Sequence, residues 1–202
     1  MNIELLLNDD SCKFIQDEYK FIYDHYTDNI SNKVMATSLQ QCSILYLISK
    51  NLFNKNILDT GSGISSYFLR KNKKLTNSIN YTVDTNLDWL LKTKNFLKEY
   101  QVNDENLFEW SDFKNKYEIK FDFIYHDMGW IHERMTPIPY IKSMLYKNGI
   151  IMIDDLHFNN SPDCMLRDFV YDEFTPDNWL EVDIKSISMD EYGRYATIFI
   201  KK

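Results

Sequence analysis

Two glycines and a set of aspartates stand at spacings that could hold a nucleoside. Asp59-Thr60-Gly61-Ser62-Gly63 follows the apolar pair Ile57-Leu58 and runs into Ile64-Ser65, where a helical pattern begins. Gly61 and Gly63 allow a tight turn and a close approach of backbone to ligand, because no Cβ intervenes. A second apolar-to-acidic stretch, Ile79 to Val83, ends in Asp84, 25 residues after Asp59. A carboxylate there can accept from both hydroxyls of a ribose. This is the layout of a nucleoside-cofactor site at the carboxyl edge of a parallel sheet. The dinucleotide fingerprint needs a third glycine where this chain has Ser66. Asp59, two positions before the first glycine, would repel a pyrophosphate and suits a cationic or zwitterionic ligand, so charge favours a sulfonium cofactor over a dinucleotide.

The elements that must position these residues alternate as in a doubly wound fold. Strands are expected at Ile57 to Thr60, Ile79 to Asp84, Asn106 to Trp110, Phe121 to His126 and Gly149 to Asp154. Helices are expected from Ile64 to Lys71, from a cap at Asn86 to Lys98, and from Tyr140 to Tyr146, with a further start at Ser161-Pro162-Asp163. Two closing strands, Leu180 to Ser188 and Arg194 to Lys201, read as a hairpin. Ahead of the first strand, residues 12 to 28 and Thr37 to Leu52 have helical spacing of apolar residues. These helices, within residues 1–55, are too short for a core of their own and should lie on the sheet or over its binding edge. The pattern describes one three-layer α/β sandwich with a mixed sheet over residues 1–202.

Composition sets the outer limits. The chain has 202 residues and 44% hydrophobic residues, enough for one sizeable core. A net charge of -7 disfavours a nonspecific nucleic-acid surface. The basic run Arg70-Lys71-Asn72-Lys73-Lys74 reads as a solvated helix C-terminus. No apolar run is long enough for a membrane span, and Met1 to Asp10 lacks the positive flank of a signal peptide. Cys12, Cys42 and Cys164 are widely spaced and odd in number, which points to a reducing, cytoplasmic setting with no disulfide framework. His25 reads as structural, and His126 as a core histidine within its strand.

Asp59-Thr60-Gly61-Ser62-Gly63 resembles the acidic-x-Gly-x-Gly motif of class I S-adenosylmethionine-dependent methyltransferases, with Ser65 where many members have a third glycine. The resemblance extends to Asp84, to Phe121 through Asp127 and to the final hairpin, and spans roughly residues 35 to 202. It implies a Rossmann-like sandwich with a seven-stranded sheet whose last strand is antiparallel. It also implies that Asp59, Gly61, Gly63 and Asp84 bind S-adenosylmethionine, with Trp110 and Ser111 near the adenine and Met35 to Ser38 near the methionine end.

In this fold the fourth and fifth strands are neighbours, so Asp127 and the pair Asp154-Asp155 should converge. Three such acids repel unless a cation or a donor compensates, and oxygen-only ligands point to Mg²⁺ or another hard divalent ion. The set resembles the metal site of small-molecule O-methyltransferases of the catechol and macrolide-sugar types. An acidic loop cluster with Asp155 capping the next segment is the plainer reading. The catechol-type enzymes carry a catalytic lysine three residues after the first metal aspartate, where this chain has Trp130. Asp127, His132 and His157 are then the candidate catalytic groups. The expected activity is methyl transfer to a hydroxyl of a small molecule, with Trp130, Ile131, His132, Met135 and Phe158 as candidate acceptor contacts. A methyltransferase fold that binds without turnover and a protein or nucleic-acid methyltransferase are the alternatives, although no Asn/Asp-Pro-Pro-Tyr type of motif follows Phe121 to His126. A homodimer is left open.

Overall fold

A computed structural model describes residues 3–130, 132–157 and 165–202. In chain order, α1 (Ile3–Leu6), α2 (Asp9–Asn29) and α3 (Leu39–Lys50) precede β1 (Asn56–Thr60), α4 (Ile64–Arg70), α5 (Lys73–Thr76), β2 (Ile79–Asp84) and α6 (Leu87–Glu99). Then come β3 (Leu107–Glu109), α7 (Trp110–Lys116), β4 (Phe121–His126), α8 (Ile138–Ser143) and β5 (Leu145–Ile153). The chain continues through α9 (Leu166–Glu173), β6 (Trp179–Val182), α10 (Lys185–Ser188) and β7 (Thr197–Lys201).

The seven strands form one mixed sheet in the order β3-β2-β1-β4-β5-β7-β6. β1 to β5 are parallel, and β7 runs antiparallel between β5 and β6. Alternate residues of each strand face opposite layers, as the pleat requires. Ile57, Phe123, Tyr125, Ile150 and Met152 join the core under α2, α3, α4 and α6. Leu58, Ile124, Ile151 and Ile153 join the core under α7, α8 and α9. The register aligns Val83, Thr60, His126 and Ile153 across four strands. Asp84, Gly61, Asp127 and Asp154 therefore leave the sheet in one row at its carboxyl edge.

Side chains at the helix starts explain where those elements begin. Asn8 accepts from Ser11 N, Ser38 from Gln41 N, and Asn86 from Asp88 N and Trp89 N, each satisfying donors that the first turn leaves open. α3 is buried almost all round and packs between α2 and α4, so the N-terminal helices complete one layer of the sandwich.

Several boundaries differ from the sequence expectation. Trp110 opens α7 instead of ending β3. α8 starts earlier than expected, because Pro137 and Pro139 fit its first turn, and β5 begins at Leu145. The expected strand from Leu180 to Ser188 stops at Val182: Asp183 Oδ1 accepts from Lys185 N at 2.8 Å, a local bond that replaces the ladder and starts α10. The basic run was expected to be solvated throughout, yet Arg70 is only 2% exposed. Its guanidinium donates to Asn80 O (3.1 Å) and Thr82 Oγ1 (2.7 Å) under the sheet. The helix start at Ser161-Pro162-Asp163, Cys164, Ile131 and Phe158 lie outside the described residues. Among the described residues no helix is long and apolar enough to cross a membrane.

Candidate active site

β1 delivers the chain into the glycine turn. Gly61 has φ +107°, and a Cβ there would lie 2.5 Å from Asp127 O and 2.7 Å from Asp127 C. Only glycine fits, because the end of β4 crosses directly behind it. A Cβ at Gly63 would meet only the Tyr26 hydroxyl, at 3.3 Å. Asp84 fastens the turn: its Oδ2 accepts from Ser62 N (2.7 Å) and Ser62 Oγ (2.8 Å), and its Oδ1 from Asn86 N (2.9 Å).

Asp59 lies beneath this turn, 1% exposed. It accepts from Ser66 Oγ at 2.5 Å, from Ser65 Oγ at 3.2 Å and from Thr82 Oγ1 at 3.4 Å. Burial pushes its carboxyl up to about 7, against the opposing pull of the Ser66 hydroxyl and Arg70. Asp59 thus braces the turn from below, through Ser65 and Ser66 at the start of α4.

The three acids after β4 and β5 do converge, with a ligand atom of each within 4.8 Å of the others. A cation already stands among them. Arg134 places Nη2 2.6 Å from Asp127 Oδ1 and Nη1 2.6 Å from Asp155 Oδ2. Asp127 Oδ2 accepts from Thr37 Oγ1 at 3.2 Å. Asp154 Oδ1 accepts from Gln41 Nε2 and from Asp155 N, both at 2.6 Å, and its Oδ2 accepts from Tyr125 OH at 2.9 Å. Burial holds the Asp127 carboxyl well above the ordinary range although Arg134 opposes it, and burial with Asp155 nearby raises Asp154 to about 6. For Arg134, burial alone would weaken the charge, but Asp127, Asp155 and Asp154 outweigh it and hold the guanidinium protonated. Asp155 has φ 60°, an uncommon conformation for a residue with a side chain.

His126 is the core histidine expected. Its Nε2 meets Arg134 O at 2.8 Å and its Nδ1 meets Thr60 Oγ1 at 2.6 Å. A carbonyl only accepts, so Nε2 carries the proton and Nδ1 accepts from the threonine. Burial lowers its pKa to about 4, and the neutral ring anchors the Arg134 backbone.

The glycine turn, Asp84 and the acid–arginine cluster face one cavity of about 880 Å³, within the range of small-molecule sites. It runs from Asp84, Asn86, Leu87 and Glu109, past Gly61 to Ser65, to Asp127, Arg134, Asp154 and Asp155. Tyr26, Val34 to Thr37 and Arg194 border it from the N-terminal helices and the C-terminal hairpin, and Trp130 stands on its rim, 64% exposed. Arg194 is fixed by Asp190 Oδ2 at 2.7 Å and donates to Lys33 O at 2.8 Å and to Val34 O, tying down that border.

Other expected site residues sit elsewhere. Trp110 packs on Phe113 and edge-on to Tyr140, and Ser111 Oγ donates to Glu109 Oε1 at 2.9 Å. At the end of β3 the residue on the cavity wall is Glu109. His132 is exposed, and His157 stands beside Asp155, its Nδ1 3.6 Å from Oδ1, with its pKa lowered by burial. Neither histidine is among the described residues that line the cavity. Arg134, Arg194, Gln41 and Glu109 escaped the sequence reading. Only Glu109 had a usable signal, as an acid at a strand end like Asp84.

No family profile and no curated protein matches this sequence. Solved structures do. An O-methyltransferase from Bacillus cereus in complex with S-adenosylhomocysteine superposes with a TM-score of 0.64 at 15% identity, over 98% of this chain and 93% of that one. An O-methyltransferase of tomaymycin synthesis from Streptomyces achromogenes, in complex with S-adenosylmethionine, gives 0.65 at 12% identity, over 98% and 91%. A methyltransferase from Podospora anserina with S-adenosylhomocysteine gives 0.67 at 17% identity, over 96% and 88%. With the strand order, the reversed β7 and the glycine turn, these likenesses establish that the chain has the fold of the class I S-adenosylmethionine-dependent methyltransferases.

Proposed function

We propose that the protein transfers a methyl group from S-adenosylmethionine to a hydroxyl of a small molecule. The observation that carries this reading is the single cavity in which the glycine turn and Asp84 share walls with Asp127, Arg134, Asp154 and Asp155. The donor set fits the cofactor: Gly61 leaves the turn free of side chain, and Asp84 offers a carboxylate at the ribose position. When bound, S-adenosylmethionine supplies an electrophilic methyl on a sulfonium, released as the neutral thioether when the acceptor oxygen bonds to the methyl carbon. The chain's own work is positioning, which accounts for most of the rate in such a displacement. Asp84 and the turn hold one end of the cavity. Asp127, fixed by Thr37 and Arg134, and Asp155 stand at the other. The hydroxyl proton has the Asp155 carboxylate, on the cavity wall, as its acceptor, with His157 Nδ1 3.6 Å from its Oδ1. His132, exposed and off the wall, takes no part.

Mg²⁺ has no part in this reading, because Arg134 already bridges two of the three carboxylates. The decisive experiment pairs calorimetric titration of S-adenosylmethionine with detection of S-adenosylhomocysteine release in the presence of catechols, phenols and hydroxylated sugars. Binding with turnover on one of these supports the reading. No binding overturns it. Binding without turnover on any acceptor would favour the second reading, a methyltransferase fold kept for ligand binding, to which Trp130 at the usual lysine position points.

A further inference from the structure

We propose that Arg134 is the cation of the acceptor site: its guanidinium stands in the place of a divalent ion, and the protein binds no metal there. Its role toward the acceptor rests on the methyl-transfer reading; its displacement of the metal does not. The carboxylates of Asp127, Asp154 and Asp155 are gathered at a buried edge, where acids so close ionise only beside a compensating cation. Arg134 supplies it through two ion pairs of 2.6 Å, one nitrogen to each of two acids.

The remaining oxygens are largely taken. Asp154 receives three donors, from Gln41, Tyr125 and its own neighbour's N–H, and Asp127 Oδ2 receives Thr37. A magnesium ion demands oxygens at about 2.0–2.1 Å in an octahedron. A guanidinium wedged between two of the ligands is incompatible with that shell, so an ion would have to expel it.

Expulsion is opposed by the way Arg134 is held. His126 Nε2 donates to its carbonyl at 2.8 Å, its N–H donates to Trp130 O at 3.2 Å, and its Nε donates to Gly129 O at 3.3 Å. Glu133 Oε2 accepts from Trp130 N at 3.0 Å and closes the same short loop. Arg134 is buried and yet lines the cavity, so its charge lies beside the space an acceptor oxygen would enter. A fixed positive charge there favours the ionised form of an acceptor hydroxyl, which is the task otherwise given to the metal. The hydroxyl proton leaves to the Asp155 carboxylate as the oxygen takes the methyl and the sulfur keeps the electron pair of the broken bond, and Arg134 keeps its protons throughout.

The test is a titration of Mn²⁺ into the 202-residue protein, read by the paramagnetic resonance signal of free Mn²⁺, beside calorimetry with S-adenosylmethionine. Wild type is expected to leave the Mn²⁺ signal at its free value, and Arg134→Gln, which uncovers the acids, to gain a site. Arg134→Lys, which keeps the charge, should gain none. Stoichiometric Mn²⁺ binding by wild type, abolished by Asp154→Asn, would overturn the proposal without touching cofactor binding. Where methyl transfer is observed, it should survive chelator, and Arg134→Gln should lower kcat at least tenfold with S-adenosylmethionine affinity retained. An unchanged kcat in that variant would remove Arg134 from the reaction. Absence of S-adenosylmethionine binding by wild type would instead sink the methyl-transfer reading and leave the Mn²⁺ result standing.

Discussion

Asp59 and His126 sit on neighbouring strands beneath the same edge and respond to pH in opposite senses. Burial raises the Asp59 carboxyl to about 7, so between its unfolded value and that point the folded state holds a proton the unfolded state has lost. Stability from this group is fully present in acid and falls as pH rises toward 7. Burial lowers His126 to about 4, so its contribution is present above its unfolded value and is lost as pH falls toward 4. Asp59→Asn removes the first dependence alone. Its melting temperature should gain on wild type from pH 4 to 7 and keep a constant offset above that; a flat difference across the range would mean Asp59 is ionised throughout. At Asp84, replacement by Ala should weaken S-adenosylmethionine by about 1.5–3 kcal/mol, the cost of losing a charged acceptor, as read by calorimetry with the fold checked by melting. Gly61→Ala should destabilise by about 1–3 kcal/mol from its dihedral alone, and more from the backbone of Asp127 behind it. Gly63→Ala, whose Cβ would meet only the hydroxyl of the buried Tyr26 at 3.3 Å, should cost less than Gly61→Ala. Asp59, Gly61, Gly63 and Asp84 were legible in the sequence because strand, turn and acid follow one another across one βαβ unit. Arg134 was not, because an arginine in an irregular loop has no periodicity to place it.

The stretch from Lys33 to Thr37, between α2 and α3, matters for a different reason. Its residues Val34 to Thr37 border the cavity, and it is held by Arg194, from beyond α10, through the carbonyls of Lys33 and Val34. Arg194→Ala should leave the sheet intact but loosen this border. Hydrogen exchange at residues 33–37 should accelerate, and affinity for S-adenosylmethionine should fall several-fold; unchanged exchange would show that Thr37 and Ser38 suffice to hold it. The sequence marked α3 through its apolar spacing and placed Met35 to Ser38 near the cofactor by resemblance. It could not show what fastens them, because Lys33 and Arg194 lie 161 residues apart. Regular elements with strong alternation, such as β2 and β4, were read to the residue. Boundaries set by a single side chain, as at Asp183, were not.

At the scale of the molecule, acidity bears on which acceptor the proposed reaction would take. With a net charge of -7, a backbone polyanion is repelled unless basic residues gather on one face. The expected basic run contributes less than its composition suggests, because Arg70 is turned inward to Asn80 and Thr82. A labelled RNA duplex should therefore show no rise in fluorescence anisotropy at physiological salt; saturable binding would move the acceptor from a small molecule to nucleic acid. The global architecture was legible because alternating strands and helices admit few arrangements, and right-handed crossovers leave fewer. The position of β7 has one more consequence, for how the protein fails. It is last among the strands in sequence, yet it lies inside the sheet, between β5 and β6. A chain cut or stalled before Thr197 would strand the run Ile150-Ile151-Met152-Ile153 as a bare, uncharged edge with every outward peptide group unpaired. Such an edge is a template for the same run in another copy, so the truncated species should self-associate through β5 rather than persist as a soluble fragment.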